Sequence, residues 1–457
     1  MSAKIRPGRT SRRETPSSAL FMTTGTDLAD SGTTSRRETL SSVLIMPVGT
    51  DLASTGTTSP DATRGSAVLV MTAGTGRIDA GVTAGRGGGA AADGAQGTSA
   101  PVLIMAGGTG GHVFPALAVA KVLRERGVPV VWLGVPESME SRLVPANGFP
   151  IEWVRVKGIR GKGLTAWLMA PLRIANAVLQ ARSVLKRVRP RAVLGAGGYV
   201  SGPGGIAAWL LRIPLLIHEQ NAIPGLTNRW LARLAGSVMQ AFPGSFAPAV
   251  HARTVGNPVR ADIAAVAAPA VRFAGRTGRA RLLVFGGSQG AQRLNALVPK
   301  ALSRLDPERR PQVRHQAGER GIDAARAAYV DAQVEADVTP FIDDMAAAYA
   351  WADVALCRAG AMTIAELQAA GLGALLIPLP VATDDHQTKN AAAMVSVGAG
   401  RVLQERDMTA ESLSACIAEL TADRGRMLAM AQAARAARVI DAAAQVADLC
   451  MAAGAPA

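Results

Sequence analysis

Aromatic residues are scarce, 4% of 457, with three tyrosines and eight phenylalanines. A protein that grips single-stranded nucleic acid needs stacking faces beside its positive charge, so this shortage argues against that class. Cysteine is scarcer still. Cys357, Cys416 and Cys450 are an odd set with neither CxxC nor Cys/His spacing. They argue against a disulfide framework or a zinc site and for reduced thiols in a cytoplasmic protein. Long apolar runs are missing too. None reaches the ~18 residues that a spanning helix requires, and the best candidate, Gly204–Ile217, is broken by Arg212. The N-terminus carries arginines but no continuous apolar run ending in a cleavage site. No signal peptide is expected, and any membrane contact should be peripheral. Acidic residues fall short of basic ones, 34 against 49, for a formal net charge of +15. Residues 1–100 hold ten Lys/Arg and eight Asp/Glu, so 39 and 26 remain in 101–457, which carries +13 of the excess. That excess predicts anionic partners such as nucleotide phosphates, phospholipid headgroups or nucleic acid.

The first hundred residues repeat. SRRET at 11–15 returns at 35–39, and GTDLA at 25–29 returns at 49–53, a period of 24 residues. A decayed third copy from Thr58 keeps an apolar run, Val68 to Met71, and Gly74-Thr75. These runs resemble VLIMAGGTGG at 102–111, as tandem duplication around that strand and turn would leave them. Each unit offers one short apolar run amid Ser, Thr, Gly and Arg, too little to stack as a solenoid. Residues 1–100 are therefore expected to be a disordered extension, with Gly- and Ala-rich 78–100 as linker.

From Pro101 the pattern changes. Strand-like runs at Val102–Met105, Val128–Leu133, Ala192–Leu194 and Pro214–Ile217 alternate with helical patterns such as Val113–Arg126. A second series runs through Arg281–Phe285, a helix from Ala291, Val354–Cys357, Thr363–Ala370 and Ala374–Ile377. Alternation of this kind predicts an α/β protein with parallel sheets covered by helices. Two series joined near a Gly-Asn-Pro turn at Thr254–Arg260 predict two Rossmann-like domains, 101–258 and 259–457, facing an interdomain cleft.

Each series opens with a strand, a glycine-rich turn and a helix: Gly107-Gly108-Thr109-Gly110-Gly111-His112 first, then Gly286-Gly287-Ser288-Gln289-Gly290. Glycine allows close backbone approach, and a helix N-terminus presents free N–H groups to anions. Such a turn can also serve only to pack helix on sheet. Neither fits GxGxxG, which counts against a nicotinamide dehydrogenase. His112 follows the first turn and is the leading candidate for a general base, since imidazole titrates near neutrality. It could instead only hydrogen-bond loop backbone or an acceptor phosphate. Glu219, in His218-Glu219-Gln220-Asn221 after a strand, is the competing base or a mere polar cap. A third glycine-rich turn, Tyr199 to Gly205, with Tyr199, Ser201 and Gly202, suits a phosphate. Lys157, Arg160 and Lys162 precede Leu164, Trp167, Leu168, Met169 and Leu172, the pattern of a face resting on anionic lipid. A core segment with a basic edge would read similarly. In the next helix Ile174, Val178, Ala181, Leu185 and Val188 have the spacing of a buried face.

Seven motifs in one order carry a resemblance. GGTGGHVFPALAVA, GGYVSGPGG (197–205), HEQNAIPGLTN (218–228), VGNPVR (255–260), VFGGSQGAQRLN (284–295), FIDDM (341–345) and DDHQTKNA (384–391) resemble the MurG family of bacterial UDP-GlcNAc:lipid I N-acetylglucosaminyltransferases. The likeness runs from about Val102 to the end. It implies the two-domain GT-B fold and inverting transfer of GlcNAc from UDP-GlcNAc to a lipid-linked muramoyl-peptide. The implied partners are UDP-GlcNAc, lipid I, the anionic cytoplasmic face of the inner membrane and cell-wall synthesis and division proteins, with no nucleic acid. By the same resemblance, Thr109, Gly110 and Gly111 line the donor cleft and Asn221 reaches the donor sugar. Arg260 and Ser288 face the diphosphate, Ile342 borders the uracil, and Gln387 meets the sugar hydroxyls. Ala361, Met362, Thr363, Ile364, Ala365 and Glu366 cover the nucleotide and ribose. The family's usual serine in the Arg-Ser-Gly-Ala segment is Ala359 here. Glu366, acceptor-only when ionised, suits a vicinal diol, although Thr363-x-x-Glu366 also reads as a helix capping box. No Asp-x-Asp element is present, so neither metal nor cofactor is expected. The alternatives are another GT-B UDP-sugar transferase, a UDP-GlcNAc 2-epimerase, or a basic protein that binds membrane or nucleic acid through charge alone.

Overall fold

The computed structural model describes residues 100–156, 170–287, 291–380 and 385–454. The expected extension (except Ala100), Ser288 and the basic-apolar group Lys157, Arg160, Lys162, Leu164, Trp167 and Leu168 lie outside the described residues.

The first half is built on β1 (Val102–Met105), β2 (Val130–Gly134), β3 (Ile151–Trp153), β4 (Ala192–Gly195), β5 (Leu215–Glu219), β6 (Ser237–Gln240) and β7 (Arg253–Thr254). All pair in parallel, in the spatial order β3-β2-β1-β4-β5-β6-β7. Helices α1 (Gly110–Glu125), α2 (Met139–Ala146), α3 (Ala170–Val188), α4 (Ser201–Leu210) and α5 (Leu226–Leu231) connect them. The second half has β8 (Arg281–Phe285), β9 (Gln312–Gln316), β10 (Asp337–Thr339), β11 (Val354–Cys357), β12 (Gly373–Leu376) and β13 (Gly400–Val402). These are also parallel, ordered β10-β9-β8-β11-β12-β13. Its helices are α6 (Ala261–Ala264), α7 (Pro269–Phe273), α8 (Gln292–Ser303), α9 (Ile322–Asp331), α10 (Met345–Trp351), α11 (Ala361–Ala370), α12 (His386–Val395), α13 (Ala410–Thr421), α14 (Arg424–Ala436) and α15 (Ala442–Ala453).

The central strands are unbroken apolar runs because helices cover both faces. VLIM in β1 is buried at all four positions, and so is VALC in β11. Each sheet has one point where strand order reverses, between β1 and β4 and between β8 and β11. In doubly wound sheets ligands bind outside the carboxyl ends of the strands at that point.

Two sequence expectations shift. The last helix follows the second half in the chain, but Val446, Ala447 and Cys450 of α15 join the core formed by Val102, Ile104 and Leu123. Arg126 pairs with Asp448 at 2.5 Å and the Arg191 guanidinium donates to the Met451 carbonyl at 3.0 Å, so the chain end closes the first half. In α3 the buried face is Ala177, Ala181, Val184 and Leu185, while Ile174 is 44% exposed. Of the expected stripe, Ala181 and Leu185 are buried and Val178 and Val188 pack partly buried on the same core, so only Ile174, near the start of α3, departs.

Candidate active site

The turns after β1 and β4 meet at the first reversal point. Gly198 has φ +86°, and a Cβ there would stand 2.2 Å from the Gly107 carbonyl oxygen, so the two turns pack backbone on backbone. The His112 ring lies over Gly197, where a Cβ would come within 2.7 Å of Cδ2 and 2.9 Å of Nε2. His112 Nδ1 stands 3.3 Å from the Gly107 carbonyl and 3.4 Å from Thr109 Oγ1. The carbonyl can only accept, so Nδ1 carries the proton and Nε2 keeps its lone pair. Nε2 has no hydrogen-bond partner among the described residues. Burial depresses the imidazole below its ordinary value, while Glu219, the Gly107 carbonyl and Glu140 act in the opposite direction. Thr109 is the extended residue before α1, and exposed Gly108, Thr109 and Gly111 leave the turn's backbone open to solvent.

Two buried carboxylates hold this arrangement. Glu140, in the first turn of α2, accepts from Gly108 N at 3.1 Å and Val135 N at 3.2 Å, beneath the first glycine turn. Nothing in its local sequence marks that role. Glu219 accepts four hydrogen bonds. Asn221 N (2.9 Å) and Asn221 Nδ2 (3.2 Å) reach Oε1, while Gly225 N (3.1 Å) and Asn228 Nδ2 (2.9 Å) reach Oε2. A carboxylate offers about four lone-pair sites, so Glu219 is fully engaged in shaping loop 219–228. It has none left for an incoming hydroxyl, which decides against it as the base. His218 Nε2 lies 2.8 Å from the Gly256 carbonyl and ties the end of β5 to the connector between the halves.

The halves meet at Asn390 of α12. Its Oδ1 accepts from Ala222 N at 2.8 Å, and its Nδ2 donates to the Ala359 carbonyl at 3.2 Å and towards Asn221 Oδ1 at 3.4 Å. The Asn221 amide is thus held from both sides of the cleft.

In the second half α11 begins at Ala361 with Gly360 before it, placing Thr363 and Glu366 inside the helix. The capping-box alternative, with Thr363 as the N-cap and Glu366 three residues on, therefore fails, because Gly360 is the N-cap residue. Ala361 and Ile364 are buried, while Met362, Thr363, Ala365 and Glu366 are half-buried. Glu366 Oε2 accepts the Tyr349 hydroxyl at 2.9 Å. Burial raises the Glu366 pKa, opposed by that hydrogen bond and by Arg260, while Asp262 raises it further. Arg260 immediately precedes α6, with Nε 3.9 Å from Asp262. Ile342 packs half-buried on the core that contains Tyr349. Gln387 Oε1 accepts from Leu379 N at 3.0 Å, leaving its amide N–H groups without a partner among the described residues.

The third turn departs from expectation. Ser201 is fully buried and its hydroxyl faces the carbonyls of Met105 (3.0 Å) and Gly197 (2.8 Å), so it knits the turns together and does not face a phosphate. Tyr199 is 58% exposed, and Gly202 lies in the first turn of α4. A cavity of about 1250 Å³ lies between the halves, bordered by Arg229, Phe242, Asn257, Ala365, Gln368 and Lys389. It touches none of His112, Asn221, Arg260, Glu366 or Gln387.

Residues 102–240 match the glycosyltransferase family 28 N-terminal domain, and residues 281–446 match its C-terminal domain. The UDP-N-acetylglucosamine–N-acetylmuramyl-(pentapeptide) pyrophosphoryl-undecaprenol N-acetylglucosamine transferase of Alkalilimnicola ehrlichii is 57% identical over 77% of this chain and 98% of the relative. The protein of the same name from Nitrosococcus oceani is 56% identical over the same shares. The crystal structure of Acinetobacter baumannii MurG covers 77% of this chain and 99% of its own, with TM-score 0.68 and 41% identity. The chain belongs to the MurG family. The calicheamicin glycosyltransferase CalG4, at 16% identity and TM-score 0.55, shares the fold.

Proposed function

We infer that this chain transfers GlcNAc from UDP-GlcNAc to lipid I, the undecaprenyl-pyrophosphoryl MurNAc-pentapeptide, giving lipid II and UDP in peptidoglycan synthesis. One observation carries the assignment of roles: His112 is held through Nδ1 by the Gly107 carbonyl, with Nε2 unpartnered among the described residues at the first reversal point. In this reading Nε2 accepts the proton of the MurNAc 4-hydroxyl as its oxygen attacks the anomeric carbon in line, and the product is β-linked. The bond to UDP breaks as the new glycosidic bond forms, and the leaving diphosphate gains negative charge. Arg260 and the backbone N–H groups of the second glycine turn, together with Ser288, stabilise that charge. Glu366 accepts from the ribose diol, Ile342 borders the uracil, and Ala361–Ala365 cover the nucleotide. Asn221 and Gln387 fix the sugar, with Asn221 oriented by Glu219 and Asn390. Thr109, Gly110 and Gly111 close the floor of the cleft. The acceptor diphosphate meets Tyr199 and the backbone of the third turn near Gly202, with Ser201 acting from beneath.

In the same reading the membrane face lies on α3 and α4. Leu172 (65% exposed), Leu179 (63%), Trp209 (51%) and Leu210 (52%) stand on two helices in contact, with Arg173 and Arg182 exposed beside them. Apolar side chains flanked by cations rest on anionic lipid, and Lys157, Arg160, Lys162, Leu164, Trp167 and Leu168 lie just before α3 in sequence. No described helix is long and apolar enough to cross a membrane; in this reading attachment is peripheral, at the cytoplasmic face. The deciding experiment measures UDP release from UDP-GlcNAc with and without a lipid I analogue. Release that depends on the acceptor is expected. Acceptor-independent turnover, or none, overturns the assignment.

A further inference from the structure

Tyr349 has no place in the scheme above, yet it is one of the largest fully buried side chains of the protein. It lies in α10, with its ring edge-on to Phe285 at 6.0 Å, the residue that ends β8 just before the second glycine turn. The Tyr349 carbonyl is fixed by the Arg272 guanidinium at 2.9 Å. A buried phenol needs a partner for its hydroxyl, and here it is Glu366 Oε2, at 2.9 Å. A phenylalanine would fill the same apolar space, so core packing does not explain the hydroxyl.

We propose that Tyr349 is a positioning residue for nucleoside recognition: its hydroxyl clamps Glu366 Oε2 so that Oε1 is presented, ionised, to the ribose diol. The proposal rests on Glu366 holding the ribose. A half-buried carboxylate has two ways to fail as a diol acceptor. It can rotate away, or it can take up a proton and offer a donor where the diol needs an acceptor. The Tyr349 hydrogen bond opposes both, since it fixes the rotamer and is stronger to an ionised oxygen. The charged and titratable groups around Glu366 are Tyr349 from α10, Arg260 before α6, Asp262 in α6 and Cys357 at the end of β11. Arg260 supplies the favourable charge, but 3.9 Å from Asp262 it is shared.

The test compares UDP with 2′,3′-dideoxy-UDP, which keeps the uracil and diphosphate and lacks the diol. Tyr349→Phe should weaken UDP roughly tenfold, the usual weight of a hydrogen bond to a charged group, and leave the dideoxy analogue unchanged. The pH below which UDP loses its advantage over the analogue should also rise, since Glu366 protonates more readily without the hydroxyl. The analogue carries the same phosphates, so their titration cancels. Equal weakening of both ligands would mean that Tyr349 acts through packing, and no change in either would mean that the clamp is idle. Both outcomes overturn the proposal. Glu366→Ala is the companion variant. If it still prefers UDP over the analogue, the ribose role itself is wrong. If it loses that preference while Tyr349→Phe keeps it, only the clamp fails.

Discussion

Gly198 sits against Gly107 so tightly that an added Cβ would stand 2.2 Å from the Gly107 carbonyl oxygen, and its φ of +86° independently disfavours a side chain. The same carbonyl holds His112 Nδ1, so this contact sets the height of the proposed base in the cleft. Gly198→Ala is expected to destabilise the protein by about 2–4 kcal/mol, combining overpacking with left-handed strain. Turnover should fall by about 10², the usual consequence of moving a catalytic group by an ångström. Gly108→Ala is the control, because φ is +90° there but nothing lies within 4 Å of the added carbon. It should cost only the strain. Thermal unfolding and turnover on both variants check the pair, and equal effects would show that the backbone contact does not matter.

His112 and Glu219 separate by what each loses. His112→Ala should lower turnover about 10²–10⁴-fold with donor affinity nearly intact, because a general base acts in the transition state. Glu219→Gln turns an –NH₂ towards backbone and Asn donors that now meet a carboxylate oxygen. A lower melting temperature and a raised donor KM should follow, at a cost of about 1–3 kcal/mol. Donor KM and turnover measured on both variants decide the roles, and the reverse pattern would make Glu219 the base.

The acid limb of the rate profile follows from the same residue. Burial lowers the His112 pKa from its ordinary 6.5, and only the neutral ring can accept a proton. The catalytic form is therefore complete above 6.5, and kcat/KM should fall only as pH drops through the depressed value. A pH series on the soluble acceptor reads this directly. An inflection above the ordinary imidazole value would mean that the neighbouring carboxylates outweigh burial, or that another group is the base.

The fold was legible where single strands are apolar runs. VLIM, VALC and RLLVF announce β1, β11 and β8 because parallel central strands are buried on both faces. QVRHQ does not announce β9. Two of its three buried residues, His315 and Gln316, are polar, and His315 is satisfied by Tyr329 Oη at 2.9 Å and Asn295 Oδ1 at 3.1 Å, partners known only once the chain has folded. The site divides the same way. Glycine turns and His112 are local signals. Glu140, Tyr349 and Asn390 act across 32, 17 and 168 residues of sequence, so no local pattern reveals them. Ser201 misled for a related reason, since a serine in a glycine-rich turn looks like a phosphate ligand until its hydroxyl is seen facing inward.

Thr363 and Glu366 test the rejected capping box. Both lie inside α11, so Thr363→Ala should leave the stability within about 0.5 kcal/mol of the parent, as for substitutions outside special sites. Glu366→Ala should weaken UDP and UDP-GlcNAc alike by about 1–3 kcal/mol. Calorimetric titration and thermal melts read both. A large drop in melting temperature for Thr363→Ala with unchanged nucleotide affinity in Glu366→Ala would restore the cap.

The membrane assignment turns on side chains that the fold leaves uncovered. Leu172, Leu179 and Trp209 are each more than half exposed on α3 and α4, and apolar burial stabilises by about 1.5–3 kcal/mol per large side chain fully transferred. Even partial insertion of three such groups should therefore dominate attachment, with Arg173 and Arg182 adding an attraction to anionic headgroups that salt screens. Replacing the three with serine should cut binding to anionic vesicles at least tenfold. Turnover on a short-chain, soluble acceptor should stay the same, since all three point to solvent and none is a hydrogen-bond or ion-pair partner of His112, Arg260 or Glu366. In the parent protein, raising the salt should weaken vesicle binding without abolishing it, because the apolar part is unscreened. If binding vanished at high salt, charge alone would hold the protein to the surface. If activity on the soluble acceptor fell as far as vesicle binding, these side chains would serve the cleft, and the lipid-facing surface would have to be sought elsewhere.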